Sequence, residues 1–354
     1  MRRYRDAVAS LVLFLAACII VAAGLAIAGS PHAAGASDGG AHRFIYSPYK
    51  HVAIAWRAEM ALAGTAVTGP WSALASDGRT VLPPGVRAVT LAFATGECGA
   101  ESWDGIDADV VAGRTVRELE RAGIDFIVST GGEAGTFTCD SDRRMETFIA
   151  RYASPRLVGF DFDIERGQSN AVLGALAQTL RSAQLRHPRL RLSFTLATWA
   201  GSDDAAASLN ADGTRVLSAL RAAGVTGYYV NLMVMDYGAA TARNCVVVGG
   251  VCDMGRSALR AARNVHARFG IPLNRIELTP MIGVNDVTTN VLSLEDARTI
   301  AQDVRRGALG GLHFWSLDRD TACPGDARVV SSKCNGMPGT QPLAYTGAFR
   351  DALR

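Results

Sequence analysis

Eight apolar, strand-like segments alternate with helical patterns along the chain, and this rhythm constrains the fold more than any other feature of the sequence. The strand-like segments are residues 43–47, 88–95, 125–129, 157–164, 190–197, 228–235, 275–282 and 310–316. The helical patterns, with apolar residues three and four positions apart, are residues 115–122, 171–185, 214–223, 256–269 and 294–306. Strands roughly 30 to 50 residues apart, several of them apolar throughout, predict a parallel (β/α)8 (TIM) barrel shielded by helices. A doubly wound open sheet is the competing architecture.

The early part of this domain, residues 48–87, is its least regular part. It contains a second possible strand at residues 52–56 and no clear helix. Towards the other end of the domain, Ser293 and Asp296 have the spacing of a capping box, which predicts that a helix begins there.

Residues 1–36 predict a targeting segment rather than part of the fold. Three arginines precede residues 7–28, which are apolar apart from Ser10 and Gly24. Small residues at positions 26–28 and 34–36 suit signal peptidase, whereas the apolar run is long enough to span a bilayer if it is retained. Lipoprotein-type cleavage before Cys18 is a third option. We expect an exported protein, extracellular or periplasmic, that is either released or anchored through residues 7–28, with one barrel domain at residues 42–354.

Composition narrows the possible partners. With 49% hydrophobic and 19% charged residues in a chain of 354, disorder is excluded. The formal net charge of +3 leaves no clustered basic face, so we expect no nucleic-acid partner. We expect the protein to act as a monomer.

Six of the seven cysteines lie beyond the targeting segment, and an even number in an exported chain favours disulfides. The spacing suggests two local loops, Cys245 with Cys252 and Cys323 with Cys334, which leaves Cys98 with Cys139. The alternative is a set of unpaired buried thiols. Zinc is not expected, because the chain has no Cys-x-x-Cys and its histidines do not cluster near the cysteines.

Acidic and apolar residues alternate along the strand-like segment at residues 157–165. The acids are Asp161, Asp163 and Glu165. Because side chains alternate between the faces of a strand, we expect the acids to point into the barrel and climb towards its C-terminal mouth, where barrel enzymes place catalytic groups. Alternate carboxylates lie roughly 6 to 7 Å apart and repel in low dielectric, so at least one should hold a proton near neutrality. A protonated acid beside an ionised one is what general acid catalysis of glycoside cleavage requires.

Two other interpretations of these acids stay open at this point. The segment could be a half-exposed strand with an acidic face towards solvent. Three inward carboxylates could also hold calcium or magnesium, although the sequence identifies no supplementary oxygen ligands.

Residues 159–165 resemble the catalytic signature D-G-x-D-x-D-x-E of glycoside hydrolase family 18, the chitinases and related endo-β-N-acetylglucosaminidases. Four further segments resemble family motifs or those of its secreted bacterial chitinases, in strand order: Leu-Ala-Phe-Ala at 91–94, Ser-Thr-Gly-Gly at 129–132, Met-Asp-Tyr-Gly at 235–238 and Phe-Trp-Ser at 314–316. Residues 279–286 and the pair Arg319 and Asp320 resemble the same bacterial branch. The resemblance covers about residues 42–354 and implies the TIM barrel of that family.

The resemblance implies hydrolysis with retention, in which the 2-acetamido oxygen of the sugar attacks the anomeric carbon. Glu165 would protonate the leaving oxygen and later activate water. Asp163 would orient the acetamido group and stabilise the oxazolinium ion, while Asp161 would share a proton with Asp163. Tyr237 would hold the acetamido group, and Trp315 would form the apolar floor beneath the sugar. No cofactor is needed.

Further substrate contacts are expected around this centre. Met235 and Asp236 lie in the motif after the sixth strand, and Trp199 and Trp103 follow the fifth and second strands. A pyranose ring offers an apolar face to an aromatic side chain, so both tryptophans could stack sugars. For Trp315, the alternative is an ordinary core tryptophan at the barrel bottom.

The sequence departs from the family pattern at two places. Val158 stands where the signature has its first aspartate. Around residue 236 two registers are possible: Tyr237 takes the place of the family tyrosine, or Met233 and Asp236 take the places of its methionine and aspartate. Alternation would put Met233, Met235 and Tyr237 on one face, which favours Tyr237 as the inward residue.

We therefore predict a chitinase that cleaves β-1,4 linkages between N-acetylglucosamine units, with chitin or its oligosaccharides as partner. A catalytically weak or silent glycan-binding protein on the same barrel, and an endo-β-N-acetylglucosaminidase acting on peptidoglycan or N-glycans, are the alternatives. A metal-dependent hydrolase is a third.

Overall fold

The structure is a computed structural model that describes residues 44–55, 67–68, 71–75, 77–165, 167–202 and 208–354. The expected targeting segment, residues 1–36, lies outside the described residues, and so does residue 56 at the end of the second possible strand.

Eight parallel strands form a closed barrel. The first, β1, consists of two short segments, Ile45–Tyr46 and Tyr49–His51. The others are β2 (Ala88–Ala94), β3 (Asp125–Gly131), β4 (Leu157–Asp163), β5 (Arg191–Ala197), β6 (Tyr229–Met233), β7 (Ile276–Thr279) and β8 (Gly311–Leu312). Each strand pairs in parallel with its neighbours in the chain, and β1 pairs with both β8 and β2.

The barrel closes through the interrupted strand β1. Ser47 donates its N–H to Leu312 on one side, and Thr90 donates its N–H to Pro48 on the other. Proline has no N–H to give to a strand ladder, which accounts for the interruption. The expected eight-stranded barrel is confirmed, and the open doubly wound sheet is wrong.

Helices cover the outside of the barrel. The first, α1, runs through three consecutive segments, Ala108–Val111, Ala112–Val116 and Arg117–Ala122, of which the middle one is a π-helix. The others are α2 (Asp142–Arg151), α3 (Asn170–Arg186), α4 (Ala211–Ala223), α5 (Met254–Phe269), α6 (Leu294–Arg306) and α7 (Ala344–Ala352). The helical patterns predicted α1 and α3 to α6, whereas α2 and α7 were not predicted. Among the described residues, no helix has the length and apolar character needed to cross a membrane.

The start of α6 follows the expected capping box. Ser293 accepts a hydrogen bond from the N–H of Asp296 at 3.0 Å, and the Asp296 carboxylate accepts one from the N–H of Ser293 at 2.8 Å. Two groups that the helix leaves unpaired are satisfied in this way. Between β1 and β2 the described residues contain a hairpin, Ile54–Ala55 with Val67–Thr68, and no helix.

The two faces of β4 separate as the alternation predicts. Phe160 points outwards and packs on Phe148 of α2, with 4.8 Å between ring centroids. Phe162 stacks on Phe194 of β5 at 5.4 Å. A Cβ atom at Gly159 would lie 2.1 Å from the carbonyl oxygen of Arg191, so the strand requires glycine there. The inward face is left to the acids.

Three disulfides lie in loops at the carboxyl ends of the strands. Cys98–Cys139 joins the segments after β2 and β3, Cys245–Cys252 closes a hairpin after β6, and Cys323–Cys334 closes a loop after β8. All three expected pairs are present. They restrain the loops that surround the mouth of the barrel.

Candidate active site

A cavity of about 570 Å³ opens at the carboxyl ends of the strands. Side chains from opposite sides of the barrel line it, including Tyr49 of β1, Asp163 of β4, Thr195 of β5 and Thr279 of β7. This is the end of a parallel barrel at which active sites occur, because the βα loops gather there.

Asp163 and Glu165 reach the cavity from the end of β4. Asp163 is only 6% exposed, and within the described part of the chain its Oδ1 atom has no hydrogen-bond partner. Burial raises the pKa of Asp163 well above its ordinary value, and the charges of Glu165 and Asp161 raise it further. Asp163 therefore favours its protonated form, as the same-face arrangement of the acids predicts.

Asp161 lies one step deeper in the barrel and is 1% exposed. Its carboxylate accepts hydrogen bonds from Tyr49 at 3.0 Å, Ser129 at 2.7 Å, Ser193 at 2.7 Å and Thr195 at 2.9 Å. All four partners are hydroxyl groups that donate to this carboxylate. The two neighbouring aspartates of β4 therefore have opposite surroundings, since one is fully hydrogen-bonded and the other has an unpartnered oxygen.

Trp315 forms an aromatic wall of the cavity. Its ring stacks on Phe93 with 5.5 Å between centroids and an interplanar angle of 22°. The Tyr49 ring meets it edge-on at 6.1 Å. The sequence identified Trp315, but it missed Phe93 and Tyr49 as cavity residues; the only signal was the family-like segment at residues 91–94.

The segment after β6 corrects the expected register. Met233, Met235 and Asp236 line the cavity, whereas Tyr237 does not. Tyr237 is 1% exposed and belongs to the hydrophobic core. The alternation fails because β6 ends at Met233 and Asp236 adopts a left-handed conformation with φ of 50°. The structure therefore favours the alternative register, and the inward placement of Tyr237 was wrong.

The two tryptophans that were expected to stack sugars have different positions. Trp199 lines the cavity, so its contact with substrate stays a prediction. Trp103 is 1% exposed and donates its indole N–H to the hydroxyl of Tyr152 at 2.8 Å. A short hairpin, Ser102–Trp103 with Ile106–Asp107, turns its ring into the core. The prediction that Trp103 binds substrate was wrong.

The loop after β7 contributes cavity residues that the sequence did not identify. Asp286 and Val287 line the cavity there, and Glu133 lines it from the loop after β3. Asp236 accepts a hydrogen bond from the N–H of Val287 at 2.6 Å. Burial raises the pKa of Asp236, while the Val287 N–H lowers it in part. The cavity is thus lined by several carboxyl groups from different loops.

The described residues contain no group of three or more His, Cys, Asp or Glu side chains arranged to hold a metal ion. The acids of β4 are arranged instead as a column from the barrel interior to the cavity.

Comparison with curated proteins finds relatives over part of the chain. The probable bifunctional chitinase/lysozyme of Escherichia coli (strain K12) is 28% identical over 243 residues, which are 65% of this chain and 27% of that protein. Endochitinase 11 of Metarhizium anisopliae is 30% identical over 219 residues, which are 58% of this chain and 42% of that protein. The aligned segments span less than half of either relative. No family model matches the sequence.

Comparison with solved structures finds the same barrel. The catalytic domain of the hyperthermophilic chitinase from Pyrococcus furiosus has a TM-score of 0.64 and 25% identity, with 88% of this chain and 95% of that chain covered. Catalytic-site mutants of active domain 2 of the thermostable chitinase from the same organism, complexed with chito-oligosaccharides, also give a TM-score of 0.64, with 24% identity and coverage of 89% and 97%.

Proposed function

We propose that the chain belongs to glycoside hydrolase family 18 and cleaves β-1,4 linkages between N-acetylglucosamine units, a proposal that its chitinase relatives and fold neighbours support. The single observation that carries the proposal is the pair of acids at the end of β4. Asp163, with a raised pKa and an unpartnered oxygen, stands beside Glu165 at the cavity. A protonated acid next to a second acid is the arrangement that glycoside cleavage needs.

In the proposed first step, Glu165 protonates the glycosidic oxygen that leaves. The acetamido oxygen of the substrate attacks the anomeric carbon at the same time, which forms a cyclic oxazolinium ion and breaks the bond to the leaving sugar. In the second step Glu165 takes a proton from water, and that water opens the ring. Two displacements at one carbon give a product with retained configuration.

Asp163 is proposed to hold the acetamido group during this sequence. Its Oδ1 atom is buried and has no hydrogen-bond partner among the described residues, so it is the atom that the acetamido N–H can satisfy. Positive charge develops on the oxazolinium ion, and a carboxylate in a water-poor cavity stabilises such a charge strongly. Asp161 is proposed to take up the proton that it shares with Asp163, so that Asp163 is ionised beside the oxazolinium ion.

The remaining lining residues are proposed to bind the sugar chain. Trp315, stacked on Phe93, offers an apolar face to the sugar that reacts. Trp199 would stack a neighbouring sugar. Met235 and Asp236 would contact the reacting sugar from the side of β6.

We further propose that the protein works outside the cytoplasm as a monomer, released or anchored through residues 7–28, on chitin or its oligosaccharides. Peptidoglycan is the second candidate substrate, because the name of the E. coli relative includes lysozyme. Both polymers carry the 2-acetamido group that the proposed mechanism uses.

The test is hydrolysis of N-acetylglucosamine oligomers of increasing length, with product sizes measured by mass spectrometry and anomeric configuration by NMR. Purified peptidoglycan and cellulose oligomers are compared in parallel, and Glu165→Gln serves as the inactive control. We expect cleavage of acetamido sugars with retained configuration, and inhibition by thiazoline analogues of N-acetylglucosamine. Inverted products, or cleavage of cellulose oligomers at a comparable rate, would contradict the mechanism. Oligomer binding without turnover would support the binding-only alternative.

A further inference from the structure

Two buried asparagines in the loop after β7 contact the turn that carries Asp236. Asn285 is 0% exposed and Asn290 is 1% exposed. Neither lines the cavity, and neither takes part in the chemistry proposed above. Burying two amide side chains is costly unless each makes a full set of hydrogen bonds, so their contacts indicate what they do.

Both amides bind backbone atoms of the turn at residues 236–238. The Oδ1 atom of Asn285 accepts the N–H of Asp236 at 3.3 Å. The Oδ1 atom of Asn290 accepts the N–H of Gly238 at 3.2 Å, and its Nδ2 donates to the carbonyl of Gly238 at 3.0 Å. The side-chain amide of Asn290 therefore makes with Gly238 the pair of hydrogen bonds that the backbone of a neighbouring strand would make. Together the two asparagines hold the turn at both ends.

The loop that carries these amides is itself well held. Asn285 donates its Nδ2 to the carbonyls of Met281 at 2.9 Å and Gly283 at 3.1 Å, and its N–H to the carbonyl of Asn290 at 3.0 Å. Arg319 is fully buried and donates to the carbonyls either side of Gly283. Contacts within their own loop thus fix the two amides in orientation, independently of their hydrogen bonds to the turn.

The turn needs such support because of its backbone conformation. Asp236 has φ of 50°, in the left-handed region that a residue with a side chain adopts at a cost of about 1 kcal/mol or more. In return, the Asp236 carboxylate accepts the N–H of Val287, which lies on the same loop between the two asparagines. Asp236 and Val287 both line the cavity.

We propose that Asn285 and Asn290 are positioning residues that hold Asp236 in its left-handed turn and so set the place of its carboxylate in the substrate cavity. The inference rests on the proposed function, because Asp236 matters to turnover only if the cavity binds the sugar that reacts. The two asparagines act through Asp236 and do not touch substrate themselves.

Loss of this support has an electrostatic consequence. Burial raises the pKa of Asp236, the Val287 N–H and the charge of Arg319 lower it, and the charges of Asp286 and Glu133 raise it. If the turn relaxes, the hydrogen bond from Val287 weakens and the pKa of Asp236 rises further. If the asparagines only stabilised the fold, their loss would not change the pKa of Asp236.

The experiment uses Asn290→Ala in the full chain, alone and combined with Asp236→Asn. We expect Asn290→Ala to lower kcat on an N-acetylglucosamine oligomer by about 10- to 100-fold, because a misplaced group costs rate steeply. In the Asp236→Asn background the same change should lower kcat by less than about twofold, since coupled residues are not additive. Asn285→Ala is the second variant, with an effect in the same direction, in case Asn290→Ala folds poorly.

Gln184→Ala is the matched control. Gln184 makes the same reciprocal pair of amide-to-backbone bonds, donating to the carbonyl of Thr226 at 2.7 Å and accepting its N–H at 3.3 Å, at the opposite end of the barrel. This variant should keep the kcat of the wild type. Thermal unfolding of every variant shows whether an effect on kcat follows lost stability.

Carbon-13 NMR titration of the Asp236 carboxyl gives a measurement that does not depend on activity. We expect its pKa to rise in Asn290→Ala and to stay unchanged in Gln184→Ala. An unchanged titration, or an equal loss of kcat with and without Asp236→Asn, would overturn the inference while leaving the proposed function intact. A wild type without hydrolysis would contradict the proposed function alone, because the titration still tests the asparagines.

Discussion

The barrel buries carboxyl groups in two places with opposite results. At its mouth, burial raises the pKa of Asp163, and the negative charges of Glu165 and Asp161 add to the effect. Towards the amino ends of the strands lies what we call the floor cluster, Arg191, Glu277 and His313. Burial there also raises the pKa of Glu277, but the Arg191 guanidinium and His313 outweigh it and bring the pKa down to about 2.

The difference comes from the neighbours and not from burial itself. Glu277 is 0% exposed, forms an ion pair with Arg191 and lies 3.4 Å from the Nε2 atom of His313. Among the described residues, none that shifts the pKa of Asp163 is cationic. A buried acid with a cation is held in one charge state and contributes to stability, whereas a buried acid among other acids keeps a proton that chemistry can use.

The largest effect is expected at the mouth. Glu165→Gln should lower turnover by about 10³-fold or more while oligosaccharide binding persists, since the amide cannot transfer the proton in either step. Single-turnover kinetics and isothermal titration with the same oligomer measure the two quantities. Unfolding by urea should show little change. Full activity in this variant would exclude Glu165 as the acid.

In the floor cluster, substitution should lower the stability of the protein. Glu277→Gln leaves Arg191, whose side chain is only 12% exposed, without its counter-charge, which costs about 3 to 5 kcal/mol of the free energy of unfolding. Replacing both partners, with Arg191→Met and Glu277→Leu together, should cost less than Glu277→Gln alone, because no unpaired charge remains. Urea unfolding of the three proteins measures the difference. A double variant less stable than the single one would show that the ion pair itself is strongly stabilising.

Asp163→Asn should lower turnover without lowering stability, which is the opposite of the effect expected for Glu277→Gln. We expect turnover to fall by about 10²-fold, since the amide orients the acetamido group poorly and supplies no charge. Stability near neutral pH should be equal to or higher than that of the wild type, because the amide is neutral without the proton uptake that burial imposes on Asp163. Thermal unfolding and steady-state kinetics on one preparation check both. A less stable variant would mean that the carboxyl group of Asp163 helps to hold the fold.

The smallest effect concerns pH, and its sign differs between the two regions. The pKa of Glu277 lies below its ordinary value of 4.5, so its contribution of about 3 kcal/mol is present above pH 4.5 and is lost as the pH falls through about 2. The pKa of Asp163 is raised, so the folded state binds the extra proton and stability falls as the pH rises above 3.8.

Unfolding free energies of wild type, Glu277→Gln and Asp163→Asn across this range test the contrast. The stability gap between wild type and Glu277→Gln should shrink as the pH falls below 4.5. The gap between Asp163→Asn and wild type should grow as the pH rises. Parallel curves for all three proteins would contradict the assigned pKa directions.

Local periodicity carried most of what could be predicted from the sequence. Seven of the eight barrel strands and the first segment of β1 follow from the strand-like runs, and the inward face of β4 follows from strict alternation, whereas the second segment of β1, Tyr49–His51, was not predicted. Two disulfides follow from short spacing, as Cys245 and Cys252 in one hairpin show, and Cys98–Cys139 follows as the remaining pair. These features depend on neighbours in the chain, which the sequence shows directly.

Features set by the tertiary fold could not be predicted in this way. The alternation of β6 does not reach Tyr237, because the strand ends early and Asp236 turns the chain with a left-handed conformation that loop contacts stabilise. The residues next to Trp103 in the sequence are typical of an exposed loop, yet a hairpin packs its ring against Tyr152. The helix α2 was missed because its ten residues are mostly polar and bury only Met145, Phe148 and Ile149.

The split first strand affects the order in which the protein becomes active. Ile45 pairs with Gly311, so the seam of the barrel joins residues from the two ends of the domain, and closing so long a loop is slow. The cavity takes Tyr49 from one side of this seam and Trp315 from the other. A growing or partly unfolded chain therefore carries every acid of β4 but lacks the aromatic wall, and the proposed hydrolysis requires that the last strand has been made and has paired with the first.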